Sequence, residues 1–305
     1  MTSGGTVYKA LVVPGARLMP ADVLARLLEL AKEGATVVFL DRYPEDVPGY
    51  ARLEQRRTDF KGTLEQVKKL GNKQGKGKTV FFGTDYVRTL AQTAAIPEAM
   101  KTSFDLSCIR RKNPEGYHYF ISALTGKDTE SWIPLAVPAR SAMLYNPMNG
   151  VSGKARLRQK DGKTEVYLQL ASGESAILKT FTEVDVQAPE WKYQTAARGA
   201  VELSGLWTCG CGKRPAVHSV PDSVALGSWT DLSFEGAKTT MGTGCYTTTF
   251  VIENPASAQD WLLSLGDVRE SARVRINGRN VATLWAVPIV APSGNTCVRE
   301  RILWK

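Results

Sequence analysis

The carboxylates and indoles toward the C-terminus are the side chains best able to support chemistry. Asp267 and Glu270 stand three residues apart beside Arg269 and Arg273. As a catalytic pair they would serve as general acid and general base, which needs a cleft between them and a raised pKa on one. As structural residues they need only an ion pair and a turn, and that simpler use is the expectation. Asp267 alone stays a candidate polar contact for a ligand. Three indoles could act as platforms, because the C–H face of a pyranose packs on an aromatic ring. Trp261 and Trp285 lie in apolar strand-like runs and read as core. Trp229 lies in the polar, turn-like Gly227-Ser-Trp-Thr-Asp-Leu232 and reads as open to a ligand. The candidate ligand-binding residues are Trp229 and Asp267, with no catalytic residue assigned.

Sulfur and imidazole chemistry is sparsely supplied. The five cysteines, at 108, 209, 211, 245 and 297, are too few and odd in number for a disulfide framework. Cys209-Gly-Cys211 with His218 could hold a metal, but a second ligand pair at finger-like spacing is missing. His118 and His218 are the two histidines. His118, in the strand-like Tyr117-His-Tyr-Phe-Ile121, reads as a packed or rim side chain, not a base. No G-x-S-x-G elbow accompanies either histidine, and no G-x-G-x-x-G or P-loop argues for a nucleotide.

These residues must be positioned by elements of two kinds. Val7–Val13 and Thr36–Leu40 read as apolar strands around a helix that Pro20 opens, with Val23, Leu24, Leu27, Leu28 and Ala31 on one face and Gly34 closing it. A β-α-β unit of this kind implies a parallel sheet. Thr63–Leu70 and Asp85–Ala95 read as further helices, and Thr79–Phe82 as a third strand. After about residue 103 the period changes to two. Hairpins are expected around Asn113-Pro-Glu-Gly116 and Lys160-Asp-Gly-Lys163, followed by a strand over Ser175–Phe181. Residues 185–202 read as a connector. Near the end, Asn277-Gly278 between alternating runs signals a hairpin, with Ala272, Val274 and Ile276 inward and Arg273 and Arg275 outward.

Charge and composition exclude several classes. The 305 residues carry 39 Lys+Arg against 30 Asp+Glu, with 43% apolar and 23% charged residues, a globular composition. No run reaches the ~18 apolar residues of a membrane span. The N-terminus shows no charged-then-apolar signal pattern, so localisation stays open. Residues 52–112 hold 14 of the basic and 6 of the acidic side chains, a local net of +8, which leaves 25 against 24 elsewhere. The segment reads as a solvated helix face followed by a loop over Gly71–Lys78. The weaker alternative is a polyanion site, but no aromatic residue lies between Phe60 and Phe81 to stack a base, so nucleic acid is not expected.

Taken together, the segments resemble a known family. Leu265–Trp285, Gly227–Leu232 and Cys245-Tyr-Thr-Thr-Thr-Phe250 look like the galactose-binding-like β-sandwich of glycoside hydrolases, most of all the α-L-rhamnosidases of glycoside hydrolase family 106. Tyr8-Lys-Ala-Leu-Val-Val-Pro-Gly-Ala-Arg17 and Glu33-Gly-Ala-Thr-Val-Val-Phe39 resemble the amidotransferase-like α/β domain that follows the barrel in such enzymes, and the stretch from Tyr119-Phe120 to Gly173-Glu-Ser175 resembles the intervening β domain. The fold class implied is multidomain α/β plus all-β. It comprises a partial flavodoxin- or amidotransferase-like domain over 1–103, an antiparallel β domain over 104–184, the connector, and a jelly-roll sandwich over 203–305.

The resemblance implies hydrolysis of terminal α-L-rhamnosyl linkages in plant-type polysaccharides, with inversion and a calcium requirement, by enzymes usually secreted or periplasmic. Inversion places acid and base carboxylates about 6.5–9.5 Å apart with water between them. In the family these come from a (β/α)8 barrel of roughly 200 residues or more, so no catalytic residue carries over, and Trp229 and Asp267 are the candidate sugar-binding residues, with calcium a second candidate partner for Asp267. The chain is expected to be the C-terminal accessory portion of such an enzyme, inactive alone, without a cofactor of its own, partnered by the catalytic barrel and in contact with polysaccharide. A free-standing carbohydrate-binding protein is the alternative. After Trp285-Ala-Val-Pro288 the sequence departs from the family's pattern, and an incomplete sandwich is expected there.

Overall fold

The computed structural model describes residues 7–73, 77–195, 202–203, 205, 207–211, 218–219, 226–231, 238–239, 242–252, 260–268, 271–292 and 302–303; of 211, 218–219, 292 and 302–303 it describes the backbone alone. The chain divides into two compact units. One comprises Met1–Cys108, Trp132–Ala139 and Leu157–Val166; the other comprises Ile109–Ser131, Arg140–Arg156 and Tyr167–Lys305.

The first unit is built on a parallel sheet. Strands β1 (Leu11–Val13), β2 (Val37–Leu40) and β3 (Val80–Gly83) lie in that order, with Leu11 opposite Val37 and Val37 opposite Val80. Helix α1 (Ala21–Lys32) crosses from β1 to β2 and buries Leu24, Leu27, Leu28 and Ala31, the 3.6-residue stripe expected of it. It ends at Gly34, whose φ of 99° is open to a residue without a side chain. Helix α2 (Leu53–Gly71) crosses from β2 to β3 and buries Phe60, Leu64 and Val67 on the same side. The opposite face, Val38 and Phe81, packs on Leu90 of α3 (Tyr86–Ala91), which Asp85 caps by accepting the Arg88 amide. Both faces are thus covered, as parallel sheets require. A short α4 (Ala99–Ser103) follows.

Helix α2 begins ten residues before the expected Thr63. Arg56 explains the difference, because its guanidinium donates to the carbonyls of Pro48, Gly49 and Ala51 at 2.6, 2.6 and 2.8 Å and ties the incoming loop to the first turn. Arg57 reaches Asp46 at 2.7 Å from the next position. Apolar periodicity carries no trace of such polar anchors.

Eight antiparallel strands come next: β4 (Ser107–Lys112), β5 (Gly116–Ser122), β6 (Thr129–Pro134), β7 (Ser141–Tyr145), β8 (Ser152–Lys154), β9 (Leu157–Lys160), β10 (Lys163–Leu170) and β11 (Ser175–Phe181). They form one sheet in the order β4-β5-β11-β7-β8 and another in the order β6-β10-β9. Both expected hairpins are present. Asp161 and Gly162 turn β9 into β10 with φ of 50° and 72°, the pair of positive values a two-residue turn needs. Asn113 closes the other turn by accepting the amides of Glu115 and Gly116 on its Oδ1.

In the second unit, part of the expected connector is an ordered strap along β8. Lys154 N donates to Pro189 O and Trp191 N donates back to Lys154 O, a parallel bridge between Lys154 and Glu190. Gly153 is required at this crossing, since a Cβ there would stand 2.6 Å from the backbone N and Cα of Trp191. The strap is pinned again at Tyr193, whose hydroxyl accepts the Arg156 amide and donates to Tyr167 O, while Gln194 and Gln169 exchange two hydrogen bonds.

The remaining strands are β12 (Thr208–Cys211), β13 (His218–Ser219), β14 (Gly244–Thr247), β15 (Thr249–Phe250), β16 (Leu262–Ser264), β17 (Ala272–Ile276), β18 (Arg279–Leu284), β19 (Val290–Pro292) and β20 (Ile302–Leu303). They pair as β13-β12-β14, β15-β20, β16-β19 and β17-β18. Trp207, Val274, Ile276, Leu284, Ile289 and Ala291 form their core. Asn277 and Gly278 make the expected turn, with φ of 51° and 77°. Sequence beyond Pro288 supplies two paired strands and two core side chains.

Candidate functional site

The proposed ligand residues fall on two separate loops. Trp229 begins a single 3-10 turn, Trp229–Asp231, and its half-buried ring lies against Gly244 of β14, where an added Cβ would run into the indole. Tyr246 flanks the same place and donates from its hydroxyl to Gly227 O at 2.9 Å. The Trp229 indole N–H is buried without a hydrogen-bond acceptor. Trp229 therefore spends one ring face on the sheet. Asp267 is exposed on the bend after β16. Glu270 and Arg269, the rest of the suggested acid–base constellation, lie outside the described residues.

The indoles read as core do not behave alike. Trp261 is half-buried at the start of β16, whereas Trp285 is 65% exposed, which corrects the expectation that it packs inside. The physical reason is alternation. Leu284 is 7% exposed and turned to the core, so the next residue along an extended chain points away from it. The buried indole of this region is Trp207, at 4% exposure. It stands just ahead of β12, and no periodic signal marks it.

Metal and nucleophile chemistry finds little support. Cys211 and His218 are cross-strand partners in the backbone register of β12 and β13, but their side chains lie outside the described residues. Cys209 is buried. Among the described residues, no three His, Cys, Asp or Glu side chains converge to hold a metal ion, so no step through calcium or zinc is derived. His118 is exposed on β5, with its Nδ1 2.9 Å from the Asn113 amide nitrogen.

Four carboxylates are occupied by structural work. Asp46 is held at a pKa of about 2, first by the Arg57 guanidinium and then by the Val47 amide. Glu130 is lowered by the Tyr167 hydroxyl at 2.6 Å and by Gln169. Asp185 is lowered by Lys154 at 2.7 Å. Glu165 pairs with Arg158 at 2.6 Å. Lowered values are the wrong direction for a general acid, which must hold its proton near neutral pH.

Glu174 is the exception. Burial pushes its carboxyl upward, and the nearby Asp128 adds to this, against the Ala171 amide it accepts. It lines a depression of about 20 Å³ with Leu144, Asn146, Gln169 and Trp191. That volume holds about one water molecule, while ligand pockets run to roughly 300–1,000 Å³. Glu174 closes its own turn there and has no space for a sugar beside it.

Part of the basic segment is committed as well. Arg56 and Arg57 anchor α2, and Lys68 pairs with Glu65 at 3.1 Å. These three side chains are thereby held by local partners.

Comparison with known proteins fits this picture. Residues 1–159 match the profile of glycoside hydrolase family 106, alpha-L-rhamnosidase. No curated protein matches significantly. Among solved structures, the rhamnosidase from Novosphingobium sp. PP1Y superposes with a TM-score of 0.54 at 18% identity, over 94% of this chain and 28% of its own length. At that identity the likeness is one of fold. The chain spans little more than a quarter of the enzyme it resembles.

Proposed function

From the premise that this chain belongs to the alpha-L-rhamnosidases of glycoside hydrolase family 106, we propose that it is a non-catalytic accessory region of such an enzyme. In this reading its α/β layer is the amidotransferase-like domain and its C-terminal strands are a galactose-binding-like sandwich. Its partner is a catalytic barrel, and its wider role lies in degrading rhamnose-bearing polysaccharide. The observation that carries the reading is the parallel sheet. Among the described residues it has three strands, β1-β2-β3, each face covered by helices. A catalytic barrel closes eight parallel strands and works at their C-terminal face.

The disposition of the carboxylates supports the same reading. Those with lowered pKa values hold ion pairs or hydroxyls, and the one that is raised faces a water-sized depression. Trp229 and Asp267 stay the proposed sugar contacts, Trp229 through the ring face turned away from Gly244. The test is turnover of an aryl α-L-rhamnoside by the purified chain, with and without added calcium. No release of the aryl group above the uncatalysed rate is expected, and sustained turnover in either condition would overturn the non-catalytic role.

A further inference from the structure

The hairpin β17–β18 has one face in the core and one outside it. Val274, Ile276 and Leu284 are 0, 1 and 7% exposed. Arg273, Arg275 and Thr283 alternate with them and are exposed. In register, Ala272 stands opposite Leu284 and Arg273 opposite Thr283. Trp285 is the next residue along, so it emerges on the same outer face as Arg273. At 65% exposure it is the most exposed tryptophan of the described residues. Diagonal neighbours across an antiparallel pair are about 7–8 Å apart, and alternate residues along one strand roughly 7 Å. Arg273 therefore lies within about one sugar of the indole, and Arg275, two residues further along β17 past the register shift at Val274/Arg275, about 14 Å from it, so the three span an oligosaccharide. Arg273 and Arg275 make no ion pair among the described residues, in contrast to Arg57 and Arg158, which are neutralised locally.

We propose that this outer face is a docking surface for an anionic polysaccharide. The exposed face of Trp285 would carry the C–H face of a pyranose. Arg273 and Arg275 would pair with carboxylates or sulfates on the same or neighbouring sugars, groups their planar donors match two bonds at a time. The Thr283 hydroxyl between them can donate to or accept from a ring hydroxyl. Charge complementarity selects an anionic chain over a neutral one. The patch offers a single indole, whereas proteins that hold single-stranded nucleic acid combine a basic groove with successive stacking platforms, which favours a sugar polymer. The choice of a glycan rests on the family reading above. The two can fail separately, because the turnover assay reads chemistry and the present one reads association.

The experiment is affinity electrophoresis and calorimetry of the full chain with polygalacturonate, dextran sulfate, unsubstituted dextran and single-stranded DNA. Binding to a charged glycan, weakening with added salt and absent for unsubstituted dextran, is expected. The two charged arms separate carboxylate from sulfate recognition. Trp285→Ala should lower affinity about tenfold, Arg273→Ala with Arg275→Ala should remove the salt-dependent part, and Trp285→Phe should keep most of the binding. All three positions are solvent-facing, and unchanged far-UV dichroism will show that the fold survives each change. The proposal is overturned if neither charged glycan binds, if Trp285→Ala binds like the parent, or if DNA binds more tightly than both glycans.

Discussion

Replacing Gly153 by alanine should loosen the strap of residues 189–194 from the strand it follows. The added Cβ would stand 2.6 Å from the N and Cα of Trp191 and 2.9 Å from the carbonyl carbon of Glu190, all backbone atoms that cannot rotate aside. Ordinary contact begins at 3.4 Å, so the strap must retreat by about 0.8 Å. The bonds from Lys154 N to Pro189 O and from Trp191 N to Lys154 O, now 2.8 and 2.9 Å, would stretch to about 3.6 and 3.7 Å, beyond hydrogen-bonding range. Two bonds at roughly 1 kcal/mol each give a loss of about 2 kcal/mol. Against this, alanine reduces the freedom of the unfolded chain, which returns about 0.4–1 kcal/mol. The net of roughly 1–2 kcal/mol corresponds to a fall in Tm of about 3–6 °C for a unit of this size. Differential scanning fluorimetry reads the shift. Limited trypsin digestion reads its location, because Lys192 is exposed within the strap and should be cut faster in the variant. A Tm within about 1 °C of the parent, with cleavage at Lys192 unchanged, would refute the argument that backbone proximity fixes the strap.

Two further predictions concern pH. The folded-state pKa of Asp46 is depressed to about 2 by Arg57, so its contribution to stability is present above the unfolded value and lost as pH falls from about 4 toward 2. Asp46→Asn should flatten that part of a Tm-against-pH profile, and an identical profile for the two proteins would contradict it. Glu174 runs the other way. Burial raises its folded-state pKa, so ionisation opposes folding as pH rises above the ordinary glutamate range. Glu174→Gln keeps a carbonyl oxygen for the Ala171 amide and removes the buried charge. It should raise Tm at pH 7 and lose that advantage below about pH 4, where the parent side chain is also neutral. A variant less stable than the parent at pH 7 would show that the charge itself is needed.

The legible parts of this fold are those written in local pattern. The spacing of Leu24, Leu27, Leu28 and Ala31 places α1, and the apolar run Val37–Leu40 places β2. Asn277-Gly278 and Asp161-Gly162 fix their hairpins, because positive φ at both positions is a local demand. What escapes the sequence depends on distant backbone. Arg52–Gly62 offers only Leu53 and Phe60 as apolar landmarks, and its helix is fixed by Arg56 and Arg57 reaching a loop upstream. The strap looks like a linker because its partner is the backbone of β8, admitted by a glycine that carries no pattern. Trp285 sits in an apolar run, and only the alternation set by Leu284 shows that it faces out. Among the candidate ligand residues, Trp229 was legible as a turn residue. Its packing on Gly244 was not, since the two are fifteen positions apart and meet only when β14 is in place.

The charged groups divide by what surrounds them, and this bears on function more directly than their number does. A carboxylate suits acid–base work when its proton affinity is tuned toward neutrality and a substrate can reach it. Here the partners that lower Asp46, Glu130 and Asp185 are the groups that hold helix, strand and strap in place. Recruiting any of them for proton transfer would cost the contact that positions it. Arg273 and Arg275 differ, because their strand is held by Val274 and Ile276 on the opposite face and the guanidinia make no ion pair among the described residues. Alternation thus separates the residues that build this hairpin from those that can meet a ligand. A substitution on the outer face should change association and leave folding alone, and one at Val274 should do the reverse.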